Sequence, residues 1–451
     1  MVGKPAINPN AAPAVRPAAT RSGGVGLAAW CFYDWANSAF PTVITTFIFA
    51  AYFTQAVAAT PVEGTILWSR ALTVAGLIIA VGSPLLGAVA DCWGPRKPWL
   101  LVFSAASITL TGLLWFVKPE TDFVMLALIV YTTASITYHF AIVFYDAMLP
   151  AIAPPDTLGR ISGWGWAIGY AGGLVCLVVC LWMVKDSGLA AFGLDAAQAE
   201  PVRATAIFVA VWFTVFSLPL FVFTSDRPAT GLSLAEASRQ GLRRLPRTLR
   251  LVRGNPAILR FLLAHMAYTD GLVTLFAFGG IFAAAEFGMK PEDILVFGIV
   301  LNVAAGAGAA AFAWIDDAIG SRRTIMLALA GLIVSGSGLV LTRDQWGFWA
   351  LAVVLGIFVG PAQAAGRSMM ARLSPPGIET EMFGLYALAG KSTAFAGPLC
   401  LGLTVQLTGS QRAGLATVVV FLAIGLLLMV TVKEPNKPET ASLGLSNKGI
   451  A

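Results

Sequence analysis

Charge is scarce in this sequence. Asp, Glu, Lys and Arg make up 12% of its 451 residues, about half of what a soluble domain carries. So little charge cannot furnish the surface of a soluble multidomain enzyme, a nucleic-acid binder or a disordered scaffold. Histidine is rarer still, with two residues. The five cysteines include no Cys-x-x-Cys pair, so neither a metal site nor a disulfide framework is indicated. Cys176 and Cys180, one helical turn apart in an apolar run, read as small packing residues. No Gly-x-x-x-x-Gly-Lys-(Ser/Thr), Gly-x-Ser-x-Gly or His-Glu-x-x-His occurs. That removes an in-chain ATP engine and two common hydrolase designs. No cofactor, metal or enzyme activity is expected.

What the chain has in excess is apolar sequence, at 57%. Twelve apolar stretches fall near 27–58, 67–90, 99–117, 122–149, 163–184, 204–224, 257–285, 294–315, 324–342, 347–372, 383–407 and 412–432. Each is long enough to cross a bilayer as a helix of ~20 residues. The expected fold is therefore an all-α integral membrane protein with twelve transmembrane helices. Residues 1–26 read as a flexible tail rather than a signal peptide, and 433–451 as a second tail. With both ends inside, the connections on the tail side hold far more Lys and Arg than the opposite ones. The positive-inside rule then places both termini in the cytoplasm, and the protein in the cytoplasmic (inner) membrane.

One long polar connection, 225–256, divides six spans (27–224) from six spans (257–432). It holds Arg239, Arg243, Arg244, Arg247, Arg250 and Arg253. Its pattern predicts a basic amphipathic helix on the cytoplasmic lipid surface, broken near Pro246.

Two short loops repeat. Asp91, Gly94 and Arg96, followed by Lys97, match Asp317, Gly320 and Arg322, followed by Arg323, each pair 226 residues apart. An internal repeat of half the chain is typical of secondary transporters, which hold substrate between two halves. In each loop the Gly permits a tight turn. The Asp is expected to cap its span. The paired cations remain in water or meet a helix C-terminus or a carboxylate of the other half. A gating role follows for all eight residues.

These features resemble the major facilitator superfamily, whose loop signature is Gly-x-x-x-Asp-(Arg/Lys)-x-Gly-Arg-(Arg/Lys). Gly87, Asp91 and Gly94 fit it, Cys92 stands where a cation is usual, and Pro95 is inserted before Arg96. Tyr33–Phe40 (YDWANSAF), Phe144–Pro150 (FYDAMLP) and Gly159–Trp166 (GRISGWGW) are similar to the vacuole-effluxer-like branch, as are Tyr268-Thr269-Asp270-Gly271 and Phe383-Gly384-Leu385-Tyr386. The resemblance spans 27–432. It implies two pseudo-symmetric six-helix bundles, a monomer, and efflux-type amino-acid transport.

Polar groups inside spans are expensive in lipid and face a cavity or a partner. Asp34 and Asp270, on spans 1 and 7, are candidates for binding a proton or a substrate ammonium. Tyr33 and Asn37 flank the first, and Tyr268 precedes the second. His139 in span 4 is a candidate proton relay or an interhelical hydrogen bond. Lys391 in span 11 can pair with Asp34 or Asp270, meet a substrate carboxylate, or snorkel to the interface. Arg367 in span 10 reads as a snorkelling structural cation. Asp146, at the end of span 4, reads as a gate or helix-end contact.

The reading is a secondary active transporter working by alternating access. It moves a small polar solute, amino acids first, with protons or another ion as the coupling partner and lipids as its surroundings. No nucleic-acid partner is expected. A sugar, drug, cell-wall-fragment or lipid carrier of the same fold, or a non-transporting sensor, remains as the alternative.

Overall fold

The computed structural model describes residues 22–185 and 193–433. The expected tails over 1–26 and 433–451 lie mostly outside the described residues. Among the described residues the chain is helical throughout, without strands. The helices are α1 (Gly24–Asn37), α2 (Pro61–Trp93), α3 (Lys97–Leu113), α4 (Val124–Ile152), α5 (Leu158–Val184), α6 (Glu200–Phe223) and α7 (Leu234–Gly254). There follow α8 (Pro256–Phe287), α9 (Pro291–Ile319), α10 (Ser321–Leu341), α11 (Gln345–Leu373), α12 (Glu379–Ser392), α13 (Ala396–Thr408) and α14 (Gln411–Val430).

Their starts are written in the sequence. Thr60, Asn255, Asp344 and Ser410 each accept a backbone N–H in the first turn of the following helix, which satisfies donors that a helix start leaves free. Among the described residues, eleven segments are long and apolar enough to cross a membrane. The twelfth, expected as one span over 383–407, is divided into α12 and α13 at Thr393–Phe395. The first span, Gly24–Val57, is also irregular. It widens to π-helical turns over Phe40–Phe47 and Phe53–Val57, where Ile48 N–H donates to Val43 O and Ala58 N–H to Phe53 O. Pro41 has no N–H to offer, and such bulges collect where helices meet functional sites.

Helices α1 to α6 pack among themselves, chiefly α3 on α4 and α1 on both α5 and α6. Helices α8 to α14 do the same, led by α8 on α14 and α9 and α10 on α11. The two groups meet along α2 with α12 and α5 with α9. Contact is closest at the end bearing the 94–96 and 320–322 turns, here termed the basic end. There a Cβ on Gly87 would lie 2.5 Å from the Thr380 carbonyl oxygen, and one on Gly384 2.5 Å from that of Ser83. Only glycine lets these backbones approach so closely. Beyond the break, α13 packs on α14 and α8.

The linker helix departs from expectation twice. It runs unbroken through Pro246. Its packing face, Ala237, Gly241, Thr248 and Val252, is seated on protein, which the amphipathic pattern did not foretell. Gly241 abuts the Ala88 carbonyl of α2, and the Arg244 guanidinium meets the Cys92 sulfur at 3.3 Å. The Ser233–Glu236 capping box starts it.

Candidate functional site

Arg367 does not snorkel. It is 3% exposed and joins α11 to three helices of the first group. Its Nη1 donates to Asp34 Oδ2 at 3.0 Å on α1 and to Asp146 Oδ1 at 3.2 Å on α4. Its Nε and Nη2 donate to Ser162 Oγ and the Ser162 carbonyl on α5. The guanidinium lies over the rings of Trp30, Tyr145 and Trp166, 4.8 to 5.7 Å from their centroids. A planar, weakly hydrated cation suits such a site, where aromatic faces add to the ion pairs. Asp34 is thus placed in an ion-paired knot between the two groups, not beside Lys391. Asn37 donates to the other Asp34 oxygen and accepts from the Tyr138 hydroxyl. The expected role of Tyr33 in binding does not fit its placement: it is fully buried, turned toward α3, with its hydroxyl 2.7 Å from Ser104 Oγ.

At the basic end the repeated loops do something neither does alone. Gly94 and Gly320 take positive φ, +108° and +92°, and turn the chain sharply. Asp91, closing α2, accepts from the Glu381 N–H and the Thr380 hydroxyl at the start of α12. Asp317, closing α9, accepts from the Gly159 and Arg160 N–H groups at the start of α5. Each Asp was expected to cap its own span. Each instead caps a helix of the other group, because the start of a helix offers free donors and a positive dipole end whereas the end of its own helix offers neither.

Arg96 was expected in water or on a carboxylate of the other half. It is 1% exposed and reaches Asp91, the Ala147 carbonyl, Thr380 and Glu379. Arg227 joins Asp91 and Glu379 from the linker. Burial, then the neighbouring Arg96, lowers the Arg227 pKa, and Glu379 and Asp91 oppose that shift. Lys97 donates to the Phe221 carbonyl. In the second loop Arg322 donates to the Met429 and Val430 carbonyls ending α14, Arg323 is exposed, and Arg372 bridges Asp316 and Asp317.

The remaining candidates lie apart from these contacts. Asp270 on α8 is 2% exposed. Its Oδ1 accepts from the Gly397 N–H at the start of α13 at 3.2 Å, and its Oδ2 has no hydrogen-bond partner among the described residues. Lys391, in the last turn of α12, has no carboxylate within 4 Å among the described residues. It lies within electrostatic reach of His139 on α4. The Ser135 carbonyl, 2.8 Å from His139 Nδ1, can only accept, so Nδ1 carries a proton, and in the neutral ring Nε2 offers a lone pair. Tyr268 bonds His265 Nδ1 at 3.0 Å, and His265 stacks on Tyr386 with centroids 3.8 Å apart. No group of three His, Cys, Asp or Glu able to hold a metal occurs among the described residues.

Glu379, Arg227, Asp316 and Tyr386 were not among the candidate site residues that the sequence offered. The acids Glu379 and Glu381 did carry a signal, since acids favour a helix's first turn.

The model of the family described as vacuole effluxer Atg22 like matches residues 57–159 and 155–442. The chain belongs to this family. The MFS-type transporter YxiO of Bacillus subtilis is 26% identical over 421 residues, covering 91% of this chain and 96% of that one. Autophagy-related protein 22-1 of Aspergillus fumigatus is 24% identical over 62% of this chain. The chain matches about half the length of that fungal relative, 49%. Among solved structures, the proton:xylose symporter XylE has a TM-score of 0.69 at 12% identity, covering 91% of this chain and 96% of that one. FucP in the outward conformation has 0.68 at 12% identity, covering 91% and 99%. The protein is an MFS transporter of the Atg22-like branch, with the twelve-helix major facilitator fold.

Proposed function

We propose that the protein is a secondary active transporter for a small solute bearing a carboxylate, amino acids first, working by alternating access with proton coupling. The observation that carries the substrate class is Lys391. It is a cation in the divided span, within electrostatic reach of His139 of the other group, with no carboxylate within 4 Å among the described residues. Discontinuous helices are where transporters of several folds hold their solutes. In this reading Lys391 takes the carboxylate, and the unpartnered Asp270 Oδ2 takes an ammonium group or the coupling proton. The choice of amino acids, and of efflux, leans on the family's description as a vacuole effluxer.

The arginines of α7 and of both turns gather at one end of the bundle, which supports a cytoplasmic basic end with both termini inside. The bacterial relative supports the inner membrane. In this reading the protein works as a monomer, as the superfamily resemblance implies. The reciprocal Asp caps and the Arg367 knot, both spanning the two groups at or near the basic end, then act as the inner gate. Their contacts exist when the groups meet and break when they part.

The test is reconstitution in liposomes with labelled amino acids, with and without an imposed pH gradient. Flux that follows the gradient supports the reading. Folded protein that moves no amino acid, and moves sugars or lipids instead, overturns it.

A further inference from the structure

A groove of about 520 Å³ runs on the outer side of α1 and α5, near the basic end. This is within the ~300–1,000 Å³ range of small-molecule sites. Its walls are apolar: Leu27, Ala28 and Phe32 from α1, Ile161 and Trp164 from α5. Ala28 and Trp164 are exposed, so the groove opens toward the surroundings of the bundle and not into its centre. In a membrane protein those surroundings are acyl chains.

One charged residue borders this lining. Arg160 stands in the first turn of α5, and its side chain is 45% exposed. Its Nε lies 3.7 Å from Asp317 Oδ2, the long limit of an ion pair, while the Asp317 carboxylate is already occupied by two backbone N–H groups and Arg372. The guanidinium therefore keeps donors for a second anion. Trp164 stands one turn further along α5 and meets Trp314 of α9 edge-on, with centroids 5.6 Å apart. Tryptophan at this level favours the membrane interface. An apolar trough ending in a half-exposed arginine at the interface has the shape and charge of one molecule class.

We propose that this groove binds an anionic phospholipid, one acyl chain lying between α1 and α5 and the phosphate on the Arg160 guanidinium. Because the Arg160 N–H is itself capped by Asp317, the lipid sits against a contact between the two helix groups. The binding claim does not depend on the transport reading, and its test needs no transport.

The full chain, purified and delipidated in detergent, is titrated with phosphatidylglycerol and phosphatidylcholine of the same acyl chains. Retained lipid is counted by native mass spectrometry. Wild type retains phosphatidylglycerol in preference. R160Q lowers that preference about fivefold, the scale of one basic residue at an anionic surface, and R160K keeps most of it. A28W fills the trough and lowers retention of both lipids. Equal preference in wild type and R160Q, or retention untouched by A28W, overturns the proposal. So does retention that appears only after residues 2–21 are deleted, which would assign the groove to the chain's own N-terminal segment.

A second measurement leaves Arg160 intact. Acyl-brominated phosphatidylglycerol quenches wild-type fluorescence at a lower mole fraction than brominated phosphatidylcholine, and W164F loses that difference. The same difference in W164F would place the lipid elsewhere and overturn the proposal.

Discussion

Two charged clusters inside the bundle differ in how completely the protein pairs them. Around Arg367 every charge is answered: two carboxylates, a serine and three aromatic rings surround one guanidinium. Around the break between α12 and α13, among the described residues, Asp270 keeps an unpartnered oxygen and Lys391 has no carboxylate within 4 Å. A charge fully paired within the protein holds parts together. A charge left over in a span is one that another molecule can claim. Asp34 and Asp270, alike in the sequence, therefore take different proposed roles: the first closes a gate and the second meets solute or proton.

Substitutions can break this comparison. The largest effect is expected from Arg367→Met, which strands Asp34 and Asp146 without a cation. Removing one partner of a buried pair costs about 3–5 kcal/mol, read as a large drop in the unfolding midpoint in detergent. The triple variant R367M/D34N/D146N should recover most of that loss, and no recovery would mean the pairing is not what stabilises the knot.

Next come Lys391→Ala and Asp270→Asn. Both should unfold near the wild-type temperature yet bind the transported solute at least tenfold more weakly, since a charge-assisted hydrogen bond contributes about 1.5–3 kcal/mol. If D34N weakens binding as much while leaving the midpoint unchanged, the division between the two clusters fails.

Asp91→Ala and Asp317→Ala test the gate. Each removes one cap, a loss of about 1 kcal/mol or more, so the population open at the basic end should rise about fivefold or more, read by spin-label distances across α2 and α12 or α5 and α9. Equal effects would mean the two caps act as repeats; an effect from one alone would mean only that loop gates.

The smallest change belongs to Tyr33→Phe. Loss of its hydrogen bond to Ser104 should cost at most about 1 kcal/mol of stability and leave transport kinetics intact. Lost transport would return Tyr33 to the binding site.

The spans were legible because a bilayer demands long apolar runs, and among the described residues eleven of the twelve are single segments long and apolar enough to cross it. The division at Thr393–Phe395 was not, because Lys391-Ser392-Thr393 leaves a run that still averages as apolar. Arg367 was misread from its place near a span end. The surrounding Ala364-Ala365-Gly366 and Ser368 held the better signal, since small neighbours let other helices close over a long cation. Asp91 and Asp317 were found through their constant spacing, but which helix each caps depends on packing between distant segments. The sequence spacing does not encode that directly. Pro246 looked like a break and is not one, because α7 leans on α2 along its length and tertiary packing outweighs a missing N–H.

The reciprocal caps carry one more consequence. When the two groups separate, α2 and α9 release carboxylates, and α5 and α12 release helix starts. Water hydrates both kinds of group well, so this latch exchanges one set of polar partners for another instead of baring oil to solvent. With about 1 kcal/mol in each cap, the caps are a weak latch beside the buried Arg367 knot, where stranding a charge costs about 3–5 kcal/mol. In the proposed cycle a solute shifts the balance tenfold for every ~1.4 kcal/mol by which it prefers one state, so the knot, and not the caps, sets how strong that preference must be.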